Sequence, residues 1–196
     1  MNNHRVGRAP STVPETMSAL GFGDQFLVWT IRTWAQACRR GGPDAGQDAH
    51  QDANHYYPQL RRAFELAGMA ETHLVFDRFM THFTSSLKVH LSLHFQNCIG
   101  VSRDEVAFVR LVADMQNGMA PAAFESLAGY LAPAGVRLVM EPLSELAMAF
   151  ASKGLLLQRH PVPEPRPRSM SRPADDDRPS SDGFSAARSD AGMTIH

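Results

Sequence analysis

ETHLVFDRFMTHFTSSLKVHLSLHF, residues 71–95, decides how this chain is read. At about 100° per residue, Phe76, Phe79, Met80, Phe83, Leu87 and Leu91 fall within one stripe roughly 120° wide. Asp77, Thr81, Lys88 and Ser92 project from the other side. Such segregation predicts one long amphipathic helix from about Glu71 to Phe95, with its apolar edge buried by neighbours.

Working outward, the neighbours also read as helices. DQFLVWTIRTWAQACRRGG carries Leu27, Ile31, Trp34 and Cys38 on one stripe and stops at Gly41–Gly42. The following stretch has no apolar period, so residues 43–57 are expected to be a loop. PQLRRAFELAGM predicts a short helix opening at Pro58, with Leu60, Phe64 and Ala67 inward and Gly68 as its stop. In VSRDEVAFVRLVADMQNG, Ser102 and Glu105 form a capping box, Val106, Val109, Val112 and Ala113 face inward, and Gly118 ends the helix. APAAFESLAGYLAP gives another, with Phe124, Leu127 and Leu131 inside and Pro133 as its stop. The last uses Leu143, Leu146, Ala147 and Phe150, with Pro142 in its first turn, residues 135–140 outside it and Gly154 at its end. The fold class is therefore all-α: about six helices in a compact bundle around one long central helix. Residues 21–158 form a single domain, between a flexible segment 1–20 and a disordered Pro/Ser/Asp/Arg-rich tail 159–196.

Bulk composition narrows function mainly by exclusion. Of 196 residues, 43% are hydrophobic and the formal net charge is −1, so there is material for a core but no basic excess for a polyanion. APAAFESLAGYL, which would be the recognition helix of a helix-turn-helix, contains no Arg or Lys to reach phosphates or base edges. No nucleic-acid partner is expected. No run of about 20 apolar residues occurs, so no membrane span is expected either. Two distant cysteines and a first segment without an apolar core suggest a reducing, cytoplasmic setting.

On the proposed long helix, His90, His94 and Cys98 recur every four residues and continue its buried face. Adjacent members of that set are close enough to share a zinc-like ion, with Cys38 as a further candidate ligand. His90 and Cys98 would be about 12 Å apart along a continuous helix, so all three do not share one ion unless the helix ends early. The plainer reading is structural: histidines bonded near a helix end and a thiol acting as a small hydrophobe. No cofactor is expected on that reading. Trp29 lies about 140° from Trp34 and is a candidate contact residue if exposed. No GxxxxGK[ST], GxGxxG, GxSxG or paired-carboxylate pattern is present. These readings favour a non-enzymatic interaction or regulatory module that binds another protein or itself. A metal- or redox-sensing protein using the His/His/Cys face comes second, and an enzyme third.

Overall fold

A computed structural model describes residues 13–40, 47–161 and 193–195. It contains six α-helices: α1 (Phe22–Arg40), α2 (Gln47–Leu66), α3 (Thr72–Ser85), α4 (Arg103–Gln116), α5 (Ala120–Tyr130) and α6 (Pro133–Ser152). Two three-residue strands, β1 (Leu91–Leu93) and β2 (Met193–Ile195), pair in parallel. The fold is all-α, with α2 along α1, α3 along α6, and α4 against α5 and α6. Phe64, Phe76, Phe79, Phe83, Phe108 and Phe150 are all buried in one core. Their rings meet edge-on or tilted, as at Phe83–Phe108 with centroids 4.7 Å apart.

Local signals account for most boundaries. Ser102 accepts from the Glu105 N–H while the Glu105 carboxylate accepts from the Ser102 N–H, completing the capping box at α4. Gly68, Gly118 and Gly154 have φ of 70°, 70° and 72° and follow α2, α4 and α6. At each, two backbone bonds close the last turn, as in Gly118 N–H to Met115 C=O and Met119 N–H to Asp114 C=O.

Four expectations need correction. The helix beginning near Glu71 ends at Ser85, not Phe95, so no long helix carries residues 86–98. The chain turns off because Ser86 C=O accepts from Ala132 N–H, Lys88 N–H donates to Tyr130 C=O, and Leu87 bridges Leu131. Leu87 and Leu91 satisfy a helical period, but Leu91 and Leu93 are buried two apart, the period of a strand. The supposed loop 43–57 is helical from Gln47 onward, with Pro58 inside α2; residues 43–46 lie outside the described residues, as does the stop at Gly41–Gly42. Apolar periodicity reports burial rather than helicity, so a polar helical stretch leaves no such trace.

The third correction concerns α6, which starts at Pro133 and holds Pro142 in its interior. Pro133 sits where a first-turn proline loses nothing, whereas Pro142 forgoes one helical bond. Fourth, Phe124 on α5 is exposed, although Leu127 and Leu131 are buried as expected. Where they are described, residues near both ends of the chain contact the helical body. Met17 N–H donates to Ile99 C=O, Val101 N–H donates to Glu15 C=O, and Leu20 is buried. Beyond Leu157, His160 Nε2 lies 2.9 Å from the buried Asp24 carboxylate, and Arg159 pairs with buried Asp114. Residues 1–12 and 162–192 lie outside the described residues.

Candidate interaction site at the Leu91–Leu93 strand

The site grows from one arginine on the apolar face of α1. Arg32 falls between Val28 and Ala35 on that face and is fully buried. A guanidinium there needs every donor matched. Its Nε and Nη2 donate to the two oxygens of Glu105, each at 2.8 Å. Its Nη1 donates to Cys98 C=O at 2.7 Å and Nη2 to Gly100 C=O at 2.6 Å. Glu105, also fully buried, accepts in addition from the backbone N–H groups of Ser102 and His94 at 2.8 and 2.9 Å. Burial alone would raise the Glu105 carboxyl; Arg32 and the two N–H donors outweigh it and hold the group below its ordinary value of 4.5. One bidentate pair thus ties α1, α4 and the segment 94–102 together.

The first turn of α4 then fixes β1. Asp104 accepts from Ser92 N–H at 2.7 Å, and Ser102 Oγ donates to Ser92 C=O at 2.7 Å. Tyr130 OH donates to the other Asp104 oxygen at 3.0 Å, and burial, followed by the Asp104 charge, pushes the phenol well above its ordinary value. Tyr130 therefore stays a proton donor throughout the ordinary pH range.

Both backbone groups of Ser92 are consequently engaged by side chains of α4. Backbone groups of a strand alternate between its two edges, so those of Leu91 and Leu93 face the opposite way. That opposite edge is where β2 pairs, in the register Leu91↔Met193, Ser92↔Thr194, Leu93↔Ile195. In effect α4 substitutes for a strand on one side of β1 and leaves the other side to a remote segment. The Leu91 and Leu93 side chains are fully buried, which anchors β1 to the core. Val89 and Phe95, which flank β1 in sequence, and Ile99 in the segment after it are exposed, Ile99 by 80%.

Of the candidate residues from the sequence, His94 and Cys98 lie at this clasp and the others do not share one site with them. His90 is exposed, whereas His94 is half-buried with Nδ1 donating to Gly100 C=O at 3.0 Å. Cys98 is half-buried and contributes its carbonyl to Arg32. A Cβ at Gly100 would lie 3.3 Å from the His94 ring and 3.7 Å from the Cys98 sulfur, so both side chains flank that glycine. They do so from the irregular segment that follows β1, and the helical spacing that grouped His90, His94 and Cys98 is absent. Cys38 reaches the surface near the end of α1, yet its thiol is pushed up to about 11, first by burial and then by Asp77, with the Tyr57 hydrogen bond opposing. Among the described residues, no group of three or more His, Cys, Asp or Glu side chains is placed to hold a metal ion. Trp29 is partly buried and packs on the core.

Arg32 was the residue missed by pattern reading, and its signal was available: a charged side chain inside the apolar arc of α1. Compared with protein-family models, curated proteins and solved structures, the chain has no significant match in any of the three. Among the described residues, no helix is long and apolar enough to cross a membrane.

Proposed function

We propose that this protein is a non-enzymatic interaction module whose contact element is the outer edge of β1. The carrying observation is the division of β1's backbone: Ser92 is consumed by α4, while the Leu91/Leu93 edge pairs with a segment about a hundred residues away in sequence. Strand addition at an exposed edge gains affinity from main-chain bonds and specificity from alternate side chains. Val89 and Phe95, next to β1 in sequence, and Ile99 in the segment after it are exposed apolar residues that this reading assigns to the partner. Selection of random displayed peptides on the whole protein tests this reading. It should enrich extended segments with apolar residues at alternate positions, and Phe95→Ser with Ile99→Ser should weaken the selected binders about tenfold or more. A selection that enriches nothing, or binders indifferent to these substitutions, contradicts it.

A further inference from the structure

Building on that reading, we propose that residues 193–195 are a resident occupant of the β1 edge, and that a partner gains the edge by displacing them. The partner is an extended segment of another protein, running parallel to β1 with apolar residues at alternate positions.

The chain itself presents the template for such a ligand. Met193–Thr194–Ile195 alternates apolar, polar, apolar in sequence and pairs in parallel with Leu91–Ser92–Leu93. The alternation of β1 directs Leu91 C=O and Leu93 N–H toward the occupant. These groups are supplied by backbone, so any extended segment of suitable side-chain pattern can meet them.

Two features make the resident segment replaceable. It pairs over three residues, shorter than the usual strand of about five or six. It also leaves Val89, Phe95 and Ile99 exposed at 37%, 53% and 80%. A partner extending beyond three residues can cover that apolar surface as well as reproduce the pairing, and so outcompete the resident. Residues 162–192 separate β2 from the helical body, a stretch of 31 residues with a maximum reach of about 105 Å. Because the resident belongs to the same chain, its pairing is intramolecular and its effective concentration exceeds that of a separate molecule. At that concentration the chain's own segment wins over a second copy at ordinary protein concentrations.

The test uses full-length protein and a fluorescent peptide of residues 189–196, SDAGMTIH. Binding is compared between the natural chain and one carrying Met193→Asp, Thr194→Pro and Ile195→Asp, which removes the strand's pattern and a backbone donor. The substituted chain should bind, the natural chain about tenfold or more weakly, and a peptide with proline at its threonine should bind neither. Equal affinity for both chains overturns self-occupancy while leaving the edge reading intact; binding to neither overturns the edge reading itself. Binding of the proline peptide overturns strand addition. Dimers of the natural chain that dissolve on substitution overturn self-occupancy in favour of exchange between copies. Without any substitution, unlabelled selected peptide added to isotopically labelled natural protein should shift the Thr194 amide signal to its unpaired position, and an unmoved signal under saturating peptide overturns displacement.

Discussion

At the scale of single residues, Arg32 and Glu105 hold α1, α4 and the segment 94–102 together. Removing one member of a buried pair leaves an uncompensated charge, whereas replacing both with apolar groups avoids that cost. Arg32→Met should therefore destabilise by about 3–5 kcal/mol, and Arg32→Met with Glu105→Met by much less than the sum of the single changes. Urea unfolding of the four proteins measures this, and strict additivity would mean that the two side chains do not act together. The carboxyl of Glu105 is held below 4.5 in the folded protein. A depressed carboxyl stabilises above its unfolded value and loses that contribution as pH falls through the folded value. Stability should decline below about pH 4.5, less steeply in Glu105→Gln. Cys38, with its thiol near 11 against an ordinary 9.0, should alkylate at pH 8 roughly 10–100 times more slowly in folded Cys98→Ser protein than in urea. Equal rates would contradict the upward shift that partial desolvation and Asp77 impose on that thiol.

Among the elements, the turn from α3 into β1 was the hardest to foresee. Thr84 and Ser85 return their hydroxyls to the carbonyls of Met80 and His82, and Ser86 follows, a run that competes with helix continuation. Leu87 and Leu91 masked that stop because they fit the helical stripe equally well. The capping box and the glycine stops were legible because their bonds are local to a few residues. The diversion at Ser86 depends on Tyr130 and Ala132, more than forty positions away, and no short window contains it. The same crossing constrains Gly135, where an added Cβ would sit 2.3 Å from Ser86 Cβ. Glycine to alanine inside a helix ordinarily stabilises. Here Gly135→Ala should cost about 1–3 kcal/mol through overpacking, and Ser86→Gly should restore most of it. A stabilised Gly135→Ala protein in thermal unfolding would show that α3 and α6 do not approach this closely.

Across the whole molecule, the helical inventory was readable from periodicity, while the candidate site was not. His90, His94 and Cys98 were grouped by a helix that ends before them, and the working residues, Arg32, Ser92 and Asp104, owe their roles to contacts between elements distant in sequence. The described core holds a short strand rigidly by three means: buried leucines, the first turn of α4, and the ion pair behind it. Its outer edge pairs with β2, and it is there that the proposed exchange of partners takes place. Residue-resolved amide exchange at Ser92 and Leu93 tests that division most directly, in the natural chain and in Thr194→Pro. Both amides should exchange slowly in the natural chain; the substitution should release Leu93 while Ser92 stays protected by Asp104. Were the two amides to respond together, or Leu93 to be unaffected, the two-sided arrangement of β1 would be wrong.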